Sequence, residues 1–212
     1  MNVAVPETAG SAAGSDKYQP TIQASKVLPE LWRRLPEGER ITVLDLGRAQ
    51  PETIDSFAGL SVRIQVLDLY DELASGRFDK LPDGSTWERQ FQELFHFAPG
   101  TRIDLCLLWD LPHYLDEKRL RAFSRALWPW LTPASLAHGF GVRSAGTSLL
   151  NREYGIRERN AISVRARRMP QLPCKPHPPA FMNEWLTCFS TGRGVLLPDG
   201  KVETLMVARV GS

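Results

Sequence analysis

Short apolar runs alternate with stretches of helical periodicity along most of the chain. Strands are predicted over residues 41–47, 62–69, 103–109 and 135–142, where aliphatic and β-branched residues cluster between turn signals. The run at 103–109, IDLCLLW, is apolar at nearly every position, which is typical of a strand buried on both faces. This run is therefore expected to form a central strand of a sheet.

Helices are predicted where apolar residues return every three or four positions. The stretches with this spacing are residues 24–35, 51–60, 86–95, 116–131 and 179–189. Near the end, VLLPDGKVETLMVARV predicts two strands joined by the turn Pro198, Asp199 and Gly200. The alternation indicates an α/β fold: a three-layer Rossmann-like sheet, mostly parallel, with an antiparallel C-terminal hairpin.

Length and composition favour one globular domain. The 212 residues are 42% hydrophobic and 24% charged, which excludes disordered and fibrous classes. Residues 1–20, rich in Ala, Gly, Ser and Pro, are expected to be a flexible tail, and residues 21–212 to form the domain. Three widely spaced cysteines favour a reducing cytoplasm, and no apolar run predicts a membrane segment or a secretion signal.

Positive charge is concentrated in one segment. Residues 143–178 contain seven arginines and one lysine against two glutamates, although the whole chain has a net charge of +2. We expect a basic insertion at about 144–178, in which Arg165, Arg167 and Arg168 bind an anion or a protein partner. Alternatively, ISVRARR is an exposed edge strand whose charges deter pairing. Nucleic-acid binding is disfavoured, because no aromatic residues accompany the arginines.

Polar residues lie where the predicted strands end, and α/β sheets bind ligands at that edge. These residues are Asp45, Gly47, Asp68, Asp110, His113 and Tyr114. Asp68 suits hydrogen bonding to ribose hydroxyls, or is a solvated strand end. Asp110 could hold an amino group or a substrate, or belong to a turn. His113 and Tyr114 could orient or deprotonate a nucleophile, or His113 is packed in a loop. The other histidines lack ligand spacing, so no metal site is predicted.

From Ile41 to Val210 the chain resembles class I S-adenosylmethionine-dependent methyltransferases in the order and spacing of its motifs. ITVLDLG is similar to the family's first motif, IDLCLLWDLPHYLD to its fourth, and LWPWLTPASLAHGF to its following helix and fifth strand. The resemblance implies S-adenosylmethionine as cofactor and methyl transfer to a small acceptor. The residues it places around that cofactor are Asp45, Gly47, Ala49, Asp68 and Asp110.

The first motif departs from the family pattern of an acid followed by three alternating glycines. After Gly47 the chain has Ala49 and Pro51 at the two other glycine positions. Ala49 adds a methyl group, and Pro51 either stiffens the loop or simply begins the next helix. The alternative to an enzyme is therefore a methyltransferase-fold protein without turnover, which serves as a binding or scaffold module for a small molecule or a protein.

Overall fold

The computed structural model describes residues 19–147, 149–168 and 171–210, and in this part the chain forms two β-sheets. The larger sheet contains β2 (Ile41–Asp45), β3 (Val62–Val66), β4 (Ile103–Trp109), β5 (Leu131–Val142), β8 (Phe189–Leu196) and β9 (Lys201–Ala208). Its order is β3-β2-β4-β5-β9-β8. The first four strands in that order are parallel, and β9 runs antiparallel to β5 and β8. The predicted sheet with an antiparallel C-terminal hairpin is confirmed.

Helices cover both faces of this sheet. They are α1 (Leu28–Arg34), α2 (Pro51–Ser56), α3 (Leu69–Ala74), α4 (Trp87–Gln92), α5 (Glu117–Leu127) and α6 (Pro179–Trp185). Because side chains alternate along a strand, Leu44 and Cys106 pack into one core with α3 to α6, whereas Val43 and Leu105 pack into another with α1. The predicted three-layer α/β class is thus confirmed. No described helix is long and apolar enough to cross a bilayer.

The C-terminal elements differ in extent from the prediction. The last helix was expected over residues 179–189, but α6 ends at Trp185 and β8 already begins at Phe189. Two glycines, Gly192 and Gly194, conceal this strand in the sequence because glycine is depleted in strands. A register shift between Thr191 and Arg193 also interrupts the two-residue alternation on which strand prediction depends.

The basic segment forms a second, antiparallel sheet that the sequence did not predict. Its strands are β1 (Thr21–Ala24), β6 (Arg152–Glu158) and β7 (Ala161–Ala166), in the order β1-β7-β6. The interpretation of ISVRARR as an edge strand is therefore wrong, because β7 pairs on both sides. Of the predicted tail, residues 1–18 lie outside the described residues.

The small sheet packs on α2 and faces the core that contains α1. The backbone N–H of Ile156 donates to Thr53 Oγ1 at 3.0 Å, and the Ser163 hydroxyl donates to Glu52 Oε1 at 2.7 Å. Ile162 is fully buried in the same core as Val43. The hairpin of β6 and β7 is thus fixed beside the first residues of α2, next to the carboxyl edge of the large sheet.

A buried glutamate connects the start of α1 to the large sheet. Glu203 Oε1 on β9 accepts hydrogen bonds from Ser25 Oγ at 2.5 Å and from His138 Nε2 at 2.9 Å. Ser25 Oγ in turn accepts from the backbone N–H groups of Val27 and Leu28. All three polar side chains are buried, so each depends on the others for its hydrogen bonds.

We predict that Glu203→Ala lowers the free energy of unfolding by about 3–5 kcal/mol, because it leaves His138 and Ser25 buried without an acceptor. Urea unfolding monitored by circular dichroism measures the change. Glu184→Ala is the matched control, since Glu184 is an exposed partner of Arg121 and its loss should cost less than about 1 kcal/mol. Equal effects of the two substitutions would contradict this description of the buried cluster.

Candidate functional site at the carboxyl edge of the sheet

Neighbouring parallel strands bring the three predicted acidic residues to one edge of the large sheet. Asp45 is the last residue of β2, Asp68 lies two residues after β3, and Asp110 directly follows β4. The strands are in register here, since Asp45 pairs with Val66 on one side and Leu107 on the other. The site is therefore built from strand ends, as the position of a ligand site in this fold class requires.

The indole of Trp109 lies on Gly47. Trp109 Nε1 donates a hydrogen bond to Asp45 Oδ1 at 2.7 Å, and the Gly47 N–H donates to the same oxygen at 2.9 Å. A Cβ atom added to Gly47 would lie only 2.8 Å from Trp109 Cδ1 and from Nε1. Gly47, which the resemblance places beside a cofactor, therefore contacts a side chain of this protein.

The backbone of Trp109 adopts a conformation that a large side chain rarely takes. Its φ is +52°, and among the described residues it is the one non-glycine with a positive φ. The ring is 1% exposed and stacks on Tyr154 of β6, with ring centroids 5.6 Å apart and planes at 10°. The ring of His138 meets it edge-on at 5.7 Å. The basic insertion thus supplies the aromatic residue that covers Trp109.

Asp110 is fully buried between two tyrosines. Tyr70 Oη donates to Asp110 Oδ1 at 2.6 Å, and Tyr154 Oη donates to Oδ2 at 3.0 Å. Burial raises the pKa of Asp110 to about 6, although the two tyrosine hydrogen bonds and the charges of Arg167 and Lys201 lower it. Burial also raises the pKa of Asp45 to about 6, against the lowering effect of the Trp109 hydrogen bond. Both carboxyl groups thus accept hydrogen bonds from other residues of the chain.

Asp68 begins α3 and faces Arg167. Its Oδ1 accepts a hydrogen bond from the Asp71 N–H at 3.3 Å and lies 3.9 Å from Arg167 Nη1. The same guanidinium lies 4.0 Å from the ring centroid of Tyr70. Burial raises the pKa of Asp68, and the Asp71 charge adds to this while the Arg167 charge opposes it. The other oxygen, Oδ2, is buried and has no hydrogen-bond partner among the described residues.

The predicted pair of His113 and Tyr114 is packed inside the protein. His113 Nε2 lies 3.1 Å from the Phe140 carbonyl oxygen, and His113 Nδ1 accepts from the His177 N–H at 3.0 Å. Burial, followed by the neighbouring His177, lowers the pKa of His113 to about 4. Burial raises the pKa of Tyr114. The geometry favours the packed-loop interpretation, in which a neutral His113 joins β5 to the segment around His177.

Two cavities flank the site. One is polar, with a volume of about 160 Å³, and is lined by three further residues that the sequence predicted for the site: Ala49, Arg165 and Arg168. The other residues that line it are Arg48, Gln50, Glu153 and Ala166. An apolar one of about 90 Å³ lies on the other side of Trp109, between α6 and the sheet. Phe140, Met182, Leu186 and Met206 line it together with Trp109. A cavity of either size can hold several water molecules or a small ring compound.

Three aromatic residues of the site, Tyr70, Trp109 and Tyr154, were missed by the sequence interpretation. Trp109 was assigned to the core because it ends an apolar strand. The one available signal was its place directly before Asp110, where the resemblance expects the fourth motif to face a cofactor. Tyr70 and Tyr154 lie 40 and 44 residues from Asp110 in the chain, so nothing local connects them to it.

We predict that Asp110→Asn changes how stability depends on pH. A carboxyl whose pKa rises on folding destabilises the fold when it is ionised, so its contribution falls as pH increases from about 4 to about 6. Asparagine does not titrate. Between pH 4 and pH 6, the free energy of unfolding of the variant should therefore rise by about 2–3 kcal/mol relative to that of the unaltered protein. Urea unfolding at several pH values measures the difference, and a constant difference would contradict the buried carboxyl.

By sequence, no known protein family and no curated protein matches this chain. By structure, it is similar to the glycopeptide N-methyltransferase MtfA complexed with S-adenosylmethionine, with 15% identity, a TM-score of 0.45, and coverage of 86% of this chain and 92% of that one. A S-adenosylmethionine-dependent methyltransferase from Clostridium acetobutylicum gives 11% identity and a TM-score of 0.48, over 86% and 89% of the two chains.

The 1,6-didemethyltoxoflavin-N1-methyltransferase of Burkholderia thailandensis is similar over 86% of this chain and 77% of its own, with 11% identity and a TM-score of 0.45. At identities between 11% and 15% such likenesses concern the fold alone. The strand order and the antiparallel β9 are the features that give this chain its class I methyltransferase-like, Rossmann-like architecture.

Proposed function

We propose that this chain is a methyltransferase-fold binding protein that does not transfer methyl groups. The observation that carries the proposal is the position of the Trp109 indole against Gly47. The indole N–H donates to Asp45, the acid that the resemblance places beside the cofactor. A side chain of the protein thus takes the space and the hydrogen bond that a ligand would need.

S-adenosylmethionine, which MtfA binds, does not fit the described residues in this arrangement. The resemblance places Gly47 beside this cofactor, and Trp109 Cδ1 and Nε1 lie 2.8 Å from the position of a Cβ atom on Gly47. Moving the indole away would break its hydrogen bond to Asp45 and expose its buried surface, at a cost of about 3–5 kcal/mol. Such a cost weakens binding by about two to four orders of magnitude.

A small molecule is the partner that this site favours. The apolar cavity next to Trp109 is lined mainly by aliphatic and aromatic side chains, which suit an uncharged ligand with an apolar ring. The Thr204 hydroxyl, which also faces this cavity, already donates to the Gly139 carbonyl oxygen at 2.9 Å. Recognition there would therefore depend on shape and apolar contact more than on hydrogen bonds.

Methyl transfer is the second candidate function, and two observations favour it. The positive φ of Trp109 costs about 1–3 kcal/mol, which displacement of the indole could release. Asp68 Oδ2 is buried and has no hydrogen-bond partner in the part of the chain that the structure describes, and Asp68 is the residue that the resemblance assigns to the cofactor ribose. In this case S-adenosylmethionine would supply the methyl group, and the residues of the chain would hold the acceptor in line with it.

Calorimetry with S-adenosylmethionine and S-adenosylhomocysteine separates the two functions. We predict no saturable heat for the unaltered protein at millimolar ligand. Trp109→Gly removes the indole, and glycine adopts φ +52° without strain, so this variant should gain binding of S-adenosylhomocysteine and of free indole. Trp128→Gly is the matched control, since the side chain of Trp128 lies on the surface and its removal opens no cavity at Gly47.

Saturable binding of either adenosyl compound by the unaltered protein would contradict the proposal and support methyl transfer. Adding Asp68→Ala to the Trp109→Gly protein tests the ribose assignment within the same experiment. If Asp68 holds the ribose, the double variant should bind S-adenosylhomocysteine at least about tenfold more weakly than Trp109→Gly alone, but should bind indole equally well.

A further inference from the structure

A polar cavity of about 160 Å³ lies between the loop after β2 and the hairpin of β6 and β7. Arg48 and Gln50 contribute from the loop, and Glu153 and Arg165 from the hairpin. Glu153 and Arg165 are directly opposite each other on adjacent strands, so they reach the same side of the small sheet. The sequence predicted Arg165 and Arg168 as anion-binding residues, and both line this cavity.

Two buried atoms of charged side chains at this cavity lack a hydrogen-bond partner among the described residues. Glu153 is 6% exposed, and its Oε2 accepts a hydrogen bond from Gln50 Nε2 at 3.4 Å. Its Oε1 lies 4.0 Å from Arg167 Nη1, an ion-pair distance, but accepts no hydrogen bond from any described residue. Arg165 Nε is also buried, and no described residue accepts a hydrogen bond from it. Buried polar atoms of folded proteins are nearly always paired, with protein, water or a ligand. A bound molecule that both accepts and donates hydrogen bonds would satisfy both groups.

The charges around the cavity favour an anion. The Nη1 atom of Arg48 lies 3.8 Å from Glu153 Oε1, which is longer than a hydrogen bond, and the Arg48 side chain is 58% exposed. Its guanidinium can therefore turn towards a ligand at little cost. Arg165 is held by an ion pair with Glu52, which fixes its position on β7. Three arginines, Arg48, Arg165 and Arg168, line this small volume with one carboxylate, that of Glu153, while Glu52 offsets the charge of Arg165.

We propose that this cavity binds inorganic hydrogen phosphate. The arginines would donate to the negatively charged phosphate oxygens through charge-assisted hydrogen bonds. The remaining hydroxyl of the phosphate would donate to Glu153 Oε1, the buried oxygen to which no described residue donates. Sulfate has the same charge and nearly the same size at slightly alkaline pH, but it has no proton to donate. The carboxylate of Glu153 therefore selects phosphate over sulfate.

This inference goes beyond the proposed function and does not depend on it. Trp109 is not among the residues that would bind phosphate. The proposed phosphate site and the proposed exclusion of S-adenosylmethionine can therefore be disproved independently of each other. Phosphate binding would add an anion site to the same edge of the sheet that carries the apolar cavity.

The test is calorimetric titration of the full chain with inorganic phosphate and with sulfate, at slightly alkaline pH and constant ionic strength. Saturable phosphate binding is expected, at least about tenfold tighter than sulfate binding. Arg48→Gln should weaken phosphate binding by about tenfold or more, and because the Arg48 side chain is exposed, this substitution should leave the fold intact. Arg89→Gln, which changes an exposed arginine on α4, should leave the affinity unchanged.

Glu153→Gln tests the selectivity directly, because an amide can donate to sulfate. The preference for phosphate should shrink at least about tenfold in this variant. If Glu153→Gln does not fold, the comparison of phosphate with sulfate on the unaltered protein still decides. The proposal is overturned if phosphate gives no saturable heat, if sulfate binds equally well, or if Arg48→Gln binds phosphate like the unaltered protein, which would indicate an adventitious ion only.

Discussion

The hydrogen bond from the Trp109 indole to the Asp45 carboxyl determines the shape of the carboxyl edge of the sheet. It fixes a large ring against Gly47 in the loop after β2, where an added Cβ atom would lie 2.8 Å from the indole. A carboxyl buried to this degree needs a donor, and the indole N–H supplies it from inside the protein. The backbone of Trp109 accepts an unfavourable φ to reach this position, so the contact must be stabilised by its surroundings.

Those surroundings come from the basic insertion. Tyr154 stacks on the indole and also donates to Asp110, so one side chain of β6 covers Trp109 and pairs a buried acid. Arg167, at the end of the same hairpin, lies over the ring of Tyr70 and close to Asp68. The basic segment therefore covers this edge of the sheet and supplies a partner to two of its acids, Asp110 and Asp68. Beside Gly47, side chains of the protein itself cover this edge.

The architecture could be predicted from the sequence because its main strands are apolar on both faces. Such runs are recognisable even when pairing is unknown, and β4 at Ile103–Trp109 agrees with its predicted bounds. The small sheet could not be predicted, since β1 pairs with β7 across about 140 residues and no local pattern records that contact. β8 was shortened in the prediction because Gly192 and Gly194 dilute its strand pattern.

The acidic residues of the candidate site could be predicted from the sequence, but the position of the Trp109 side chain beside them could not. Asp45, Asp68 and Asp110 lie at strand ends, and strand ends follow from periodicity. The direction of the Trp109 side chain follows instead from one backbone angle and from contacts with distant tyrosines, which no sequence pattern specifies. A crystal structure of the unaltered protein grown with millimolar S-adenosylhomocysteine tests the central claim most directly. The account predicts the indole on Gly47 with Nε1 bonded to Asp45 and no ligand there; density for the ligand at Gly47, with the indole displaced, would contradict it.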